Sequence, residues 1–366
     1  MRGRLDRRVE KVSEQSRIEI YDRFEPIESL WRETERTGVC YVFQTFDWLS
    51  RWYRIVGMPH RIVPFLVVVR DSEYCRAILP LGVEERMGLR MLVGVNHSDY
   101  IAPILGADNT RSDWVQSMYS EVVKECSRRG IDLIYLPKLP ELIEHQPNPL
   151  LELPCTFQVN SYAVRLSGTW KSYYSVRLDA SARHDSRRRR KRLSELGRLR
   201  FLVAQERTDI LRLVERMIEQ KRQRYRETGV QDQFVDPAHA DFYRTLALDL
   251  VPKGIVHLSA LMLDDRILAA HWGAIHGKRF YHLMPSYESQ WRKYSPGRLL
   301  LEDLLKWCYE SGLEVLDFTG GEEKYKQDWS NEKMRLFCYF KPITWKGYAA
   351  QVVRAGRRQV RRLFEK

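Results

Sequence analysis

No apolar run in the chain approaches the roughly 18 residues that a membrane-spanning helix needs, and the hydrophobic stretch at 63–69 is strand-sized. The first residues, Met1-Arg2-Gly3-Arg4, are charged with no apolar segment behind them, which argues against a secretory signal. A cytoplasmic protein is expected. The six cysteines, Cys40, Cys75, Cys126, Cys155, Cys308 and Cys338, form no CxxC pair. Neither a zinc site nor a disulfide framework is signalled; no metal is expected, and buried free thiols are. A helix-turn-helix, zinc-finger or RNA-recognition signature is also missing, which argues against sequence-specific nucleic-acid binding.

What is present is enough chain for two domains: 366 residues, 44% of them hydrophobic. The net charge of +13 is concentrated. One concentration is Arg187-Arg188-Arg189-Arg190-Lys191-Arg192, flanked by Arg183, Arg198 and Arg200; the other is Arg354, Arg357, Arg358, Arg361 and Arg362. Both invite anionic partners: nucleotide phosphates, nucleic acid or anionic lipid headgroups. A helix turns about 100° per residue, so consecutive cations cannot share one face and some must point away from any ligand.

The pattern divides into a basic, loosely ordered stretch at 1–17, a first domain at 18–154, a second at 155–345 and a basic C-terminal helix at 346–366. The Pro-rich segment 139–154 reads as a link across which the domains hinge. In the first half, helices at 27–34 and 45–57 precede strands at 64–70, 74–83 and 89–95, then a helix at 112–129 and a strand at 131–136. In the second half, a strand at 162–166 and helices at 181–196, 209–225 and 242–250 precede two strands joined at His276-Gly277-Lys278. A helix from Pro296, a strand at 313–321 and a last strand at 336–342 follow. Both halves are α/β units of similar order.

Within that order, Tyr294-Ser295-Pro296-Gly297-Arg298-Leu299 opens a helix. Ser295 suits the N-cap, Pro296 the first turn, Gly297 permits close backbone approach and Arg298 adds charge, so the turn suits a phosphate or pyrophosphate. An ordinary capped helix is the plainer alternative. The loop after the next strand brings Glu322, Tyr325, Lys326 and Trp329 together behind Gly320-Gly321. Glu322 is a candidate base, Tyr325 a proton donor to a leaving thiolate, and Lys326 a partner for a phosphate or oxyanion. A solvated Gly-Gly turn with a charged tail competes with that reading. His271, mid-strand, is either a hydrogen-bonded core histidine or functional. Asp317 is either a structural or a catalytic carboxylate. His97, Asp99 and Tyr100 form a polar loop that lines a substrate cleft or is only a loop.

Taken together, Phe46-x-Trp48-x-x-x-Trp52, Leu79-Pro80-Leu81, Asn96-His97-Ser98-Asp99-Tyr100, Leu193-x-x-Leu196-Gly197, Tyr294-Ser295-Pro296-Gly297-x-Leu299-Leu300 and Asp317-Phe318-x-Gly320-Gly321-Glu322-x-x-Tyr325-Lys326-x-x-Trp329 carry a resemblance. In these motifs the chain resembles the bacterial CelD/BcsL-type acetyltransferases, a branch with two GNAT-like units related to the FemAB peptidyltransferases. The resemblance implies an α/β, tandem GNAT-like fold with mixed central sheets. It implies acetyl-CoA or another acyl-CoA as cosubstrate, and a small-molecule or saccharide acceptor with an amine or hydroxyl, in cell-envelope or exopolysaccharide biosynthesis. The Ser295-Pro296-Gly297 turn matches the place where GNAT enzymes rest the pyrophosphate, with one glycine where the usual Q/R-x-x-G-x-G/A form has two small residues. No general base is identified, so Glu322, Asp317 and His271 remain alternatives. Fem-like relatives use aminoacyl-tRNA, which the basic run keeps open as a donor. A third reading is a non-catalytic GNAT-like protein held on an anionic membrane by its basic C-terminus.

Overall fold

The computed structural model describes residues 16–71, 74–95, 99–107 and 113–364, with side chains as far as residue 354. Most of the stretch expected at 1–17, and His97 of the polar loop, lie outside the described residues.

The first lobe begins with β1 (Arg17–Tyr21), α1 (Glu28–Thr37) and α2 (Phe46–Trp52), the last continued by a π-helical turn at Tyr53–Gly57. Three antiparallel strands follow, β2 (Val63–Arg70), β3 (Cys75–Arg86) and β4 (Leu89–Gly94), with a short β5 (Ile104–Leu105) beside β3. Helix α3 (Val115–Arg128) crosses over to β6 (Leu133–Pro140), which lies parallel to β4. A small hairpin, β7 (Leu142–Ile143) and β8 (Gln146–Pro147), leads into β9 (Thr156–Arg165).

The second lobe repeats this order with longer elements. Helices α4 (Trp170–Arg177) and α5 (Ala180–Ser194), strand β10 (Leu199–Val203), and helices α6 (Arg207–Thr228) and α7 (Pro237–Leu250) come first. The meander β11 (Val256–Leu263), β12 (Arg266–His276) and β13 (Arg279–Tyr287) follows, then α8 (Pro296–Glu310) and β14 (Val315–Gly320), parallel to β13. The chain ends with α9 (Lys324–Trp329), β15 (Glu332–Pro342) and α10 (Trp345–Phe364).

Local sequence explains most of these elements. Ile210, Leu213, Val214, Met217 and Ile218 make a buried stripe along α6, and Gly229 ends that helix at φ 68°, a conformation glycine adopts without strain. Strand β11 is buried at every position, so it reads as a continuous apolar run rather than an alternation. Asp179 caps α5 by accepting from the Ala182 amide.

The two expected sheets are one. Strand β15 pairs antiparallel with β6 of the first lobe on one side and with β9 of the second on the other. The result is a single 13-stranded mixed sheet among the described residues. The segment expected to hinge is packed instead: Leu139, Ile143 and Leu150 are buried, and the Asn148 amide donates to the Pro140 carbonyl at 2.9 Å. One core runs through both lobes, with Trp48 set edge-on to Phe242 (5.6 Å) and Trp272 (5.9 Å), and Phe43 edge-on to Tyr281 (5.3 Å). Aromatic pairs of this geometry add to ordinary burial.

Candidate active site

Strands β13 and β14 pair only at Arg279–Val315, Phe280–Leu316 and Tyr281–Asp317. Beyond Tyr281 they part: β14 turns to β9, with Gly320 opposite Ser161, while β13 runs on beside β12 to Tyr287. The far part of β13 therefore has no strand on that side among the described residues.

Helix α8 starts beyond this parting. Ser295 sits at φ 50°, ψ 53° and its side chain does not cap the helix, contrary to the reading from sequence. Its hydroxyl accepts instead from the Arg189 guanidinium of α5, and its carbonyl accepts from the Arg298 and Leu299 amides at 3.0 and 3.2 Å. Pro296 has no N–H, which leaves the Gly297 amide as the free donor of the first turn. A Cβ at Gly297 would meet only the Tyr287 ring, at ordinary contact distance. Arg298 reaches down the helix to the buried Glu302 at 3.5 Å and lies 6.0 Å over the Trp329 ring, and its Nη2 is buried without a hydrogen-bond partner among the described residues. Leu299 is fully buried, and the Tyr294 ring lies tilted against that of Trp291, centroids 5.6 Å apart. At this turn stand the Gly297 amide, the positive end of the helix and Arg189, whose guanidinium also pairs with Asp185 at 2.7 Å.

The arginine run divides as helical geometry requires. Arg190 turns inward to Glu302 (3.4 Å), Asp303 (2.9 Å) and the Leu299 carbonyl (3.0 Å), while Arg187, Arg188, Lys191 and Arg192 face solvent.

Asp317 is buried and fully engaged. Tyr100 OH donates to Oδ1 at 2.8 Å, the Thr319 amide donates to the same oxygen at 2.7 Å, and Arg279 Nη1 donates to Oδ2 at 3.0 Å. Burial raises the Asp317 carboxyl pKa, opposed first by the Arg279 cation. Arg279 also forms a two-pronged pair with Glu144 at 2.9 and 3.1 Å. The structure thus joins one predicted catalytic residue to one predicted substrate residue, Tyr100, across the two lobes. Both line a cavity of about 370 Å³.

Glu322 lies on the β9 side of the parting, where Tyr162 OH donates to it at 2.6 Å and Asn160 Nδ2 at 2.8 Å. The Tyr162 bond is the main cause of its lowered pKa, and it pushes Tyr162 up to about 12. Lys326 is buried; its ammonium donates to the Gly320 carbonyl at 2.7 Å and pairs with Glu323 at 3.1 Å, which fastens α9. Trp329 is a core residue whose carbonyl accepts from Tyr173 OH. Tyr325 stands at the mouth of the parting, 5.9 Å from the Phe318 ring and 6.3 Å from that of His282, and burial raises its pKa.

His271 is buried, but the hydrogen bonds expected of a core histidine are not made: both ring nitrogens lack a partner. Its ring stacks on His282 at 4.3 Å, over the space left by Gly273, where a Cβ would come within 2.6 Å of it. Burial holds His257 and His282 neutral, with pKa values down to about 3, and together with the neighbouring His282 it lowers His271 well below the usual imidazole range.

Sequence reasoning passed over Lys221 on α6. Its ammonium has no hydrogen-bonding or ion-pairing partner among the described residues and lies 6.0 Å from the Tyr225 ring. Burial brings its pKa down to about 8, against a smaller pull from Glu323. The Lys326 cation lowers it too, and the Lys221 cation in turn lowers His271 and His282. The available signal was a lysine at the spacing of the apolar stripe of α6.

Asp99 pairs with Lys138 at 2.8 Å and lines a second inter-lobe cavity, of about 320 Å³, walled by Phe43, Trp48, Trp52, Phe242 and Tyr243 and floored by Leu283 and Met284 of β13. Among the described residues no three His, Cys, Asp or Glu side chains are grouped to hold a metal ion, and no helix is long and apolar enough to cross a membrane.

Among curated proteins none matches this chain. The solved structure of FemX matches with TM-score 0.59 at 11% identity, over 89% of this chain and 96% of that one. The C-terminal domain of a putative lysylphosphatidylglycerol synthetase from Agrobacterium fabrum matches with TM-score 0.54 at 12% identity, over 90% of this chain and 95% of that one. At such identities the likeness is one of fold. From the start of α5 through the α8 turn to α9, residues 180–327 match the family model of the acetyltransferase (GNAT) domain, and it is to this family that the lobe carrying the β13–β14 parting is similar.

Proposed function

We propose that the chain is an acyltransferase that moves an acetyl or longer acyl group from acyl-CoA to an amine or hydroxyl. The observation that carries this reading is the parting of β13 and β14 next to the start of α8. A thioester arm lying along the free edge of β13 would pair with its backbone, and the CoA phosphates would meet the Gly297 amide and Arg189. The acceptor enters from the aromatic cavity that ends on Leu283 and Met284. Of the titratable groups, Asp317 and Glu322 are held by hydrogen bonds and His271 is sealed in the core; the Lys221 amine has no hydrogen-bonding or ion-pairing partner among the described residues. In this reading neutral Lys221 takes the acceptor's proton. The acceptor's nitrogen or oxygen then bonds to the thioester carbon as the carbon–sulfur bond breaks, and the thiolate takes a proton from Tyr325. Asp317, with Tyr100 and Arg279, fixes the start of the parting. The acceptor class, an amine- or hydroxyl-bearing small molecule or saccharide of the cell envelope or exopolysaccharide, rests on the resemblance.

Calorimetric titration with acetyl-CoA tests the donor: saturable binding, abolished by Gly297→Glu, is expected, and an absence of binding sinks the reading. A second reading, an aminoacyl-tRNA donor, is favoured by the solvent-facing Arg187, Arg188, Lys191 and Arg192. It predicts tRNA binding that falls steeply with salt and is lost in Arg187→Glu/Arg188→Glu, with acetyl-CoA left unbound.

A further inference from the structure

Helix α10 divides its residues in an unusual way. Gly347, Ala350 and Arg354 face the protein. Gly347 packs on the Asp132 carbonyl, and the Arg354 guanidinium lies over the Tyr135 ring at 4.7 Å and the Phe340 ring at 5.0 Å. The opposite side carries Trp345, Tyr348 and Val352, which are 76%, 55% and 73% exposed, and Val353, 57% exposed, stands between the two sides. Trp345, Tyr348 and Val352 follow at three and four residues, so they form one outward apolar stripe on a helix whose outer face would otherwise be polar. Beside it the β3–β4 turn holds out Met87, 88% exposed. Between the two runs an apolar groove of about 640 Å³, lined by Met87, Leu89, Met91, Tyr135, Phe340 and Val353, within the size range of cavities that enclose small ligands.

We propose that the outer face of α10, with the β3–β4 turn, is a docking surface for an anionic phospholipid membrane, and that the groove admits a lipid acyl chain. Outward Trp and Tyr rings among aliphatic side chains suit the boundary between headgroups and acyl chains. Charge favours the same occupant: besides the inward Arg354, the sequence from Trp345 to Phe364 holds Lys346, Arg357, Arg358, Arg361 and Arg362 and no Asp or Glu. The surface lies on the first lobe, away from the parting, and the proposal does not rest on the acyltransferase reading.

Flotation of the full chain with vesicles tests it. The protein is expected to float with phosphatidylcholine vesicles that contain phosphatidylglycerol, less with pure phosphatidylcholine, and less again at high salt. Trp345→Ser/Val352→Asp, at two exposed positions, is expected to leave the circular dichroism unchanged and to weaken vesicle binding about tenfold or more. Failure to float with phosphatidylglycerol vesicles overturns the proposal, as does flotation indifferent to the double substitution. Concentration-dependent dimerisation abolished by Val352→Asp, without vesicle binding, would assign the stripe to a second copy instead.

Discussion

Lys221 lies along the buried side of α6, where the stripe of Ile210, Leu213, Val214, Met217 and Ile218 carries its stem inward and leaves the ammonium short of water. Because its folded pKa is lowered from 10.5 to about 8, the unfolded chain binds a proton that the folded chain does not between those values. Stability therefore rises as pH climbs through that window, and Lys221→Met, measured by urea denaturation across it, should abolish the rise. If Lys221 is the base, kcat/KM rises with pH and levels off above about 8. Lys221→Met then lowers turnover about a hundredfold or more while acetyl-CoA affinity stays, and an unchanged pH inflection in that variant would place the base elsewhere. Arg279 makes a separate prediction. Arg279→Met leaves Asp317 buried without its cation and should cost about 3–5 kcal/mol in chemical denaturation, much of it recovered when Asp317→Asn is added. Neither role is legible locally: Asp317 meets Tyr100 across 217 residues of sequence, and Arg279 meets Glu144 across 135. Composition shows that a carboxylate and a lysine sit in apolar runs; only the fold says which finds a partner.

At the scale of elements, helix α10 depends on Gly347. Any side chain there overlaps the Asp132 carbonyl, so Gly347→Ala must lift the first turn of the helix from the sheet. A loss of about 1–3 kcal/mol is expected from overpacking, with earlier proteolysis within α10 as the check. Elements of this kind were well marked in the sequence. The stripe of α6 and Gly229 after it gave a helix close to the observed one, and His276-Gly277-Lys278 gave the turn between β12 and β13, with Gly277 at φ 56°. Ser295 was misread because an N-cap rule sees only the helix that follows. The left-handed conformation here aims the hydroxyl at Arg189, which reaches it from α5 across 106 residues of sequence. Helix α4 had no clear apolar period of its own; it is held by Tyr173 packing in the core beneath Trp170 and Tyr309.

Over the whole molecule, β15 decides cooperativity. It closes β6 to β9, and the aromatic core of Phe43, Trp48, Phe242, Trp272 and Tyr281 continues across the lobes, so calorimetry should find one transition with equal van't Hoff and calorimetric enthalpies. Truncation after Asn331 should expose the edges of β6 and β9 and give aggregation rather than two folded lobes, as light scattering would report. The sequence by itself determined the α/β elements, the repeated strand–helix–strand order and the turn at the start of α8, because local periodicity and backbone preference act over a few residues. The tertiary structure alone decided that the two sheets are one, that the Pro-rich stretch is packed rather than free, and that the Lys221 amine on α6 has no hydrogen-bonding or ion-pairing partner among the described residues. Those outcomes depend on which distant groups meet, and each distant pairing is settled by burial and hydrogen bonding summed over the whole chain rather than by any stretch of it.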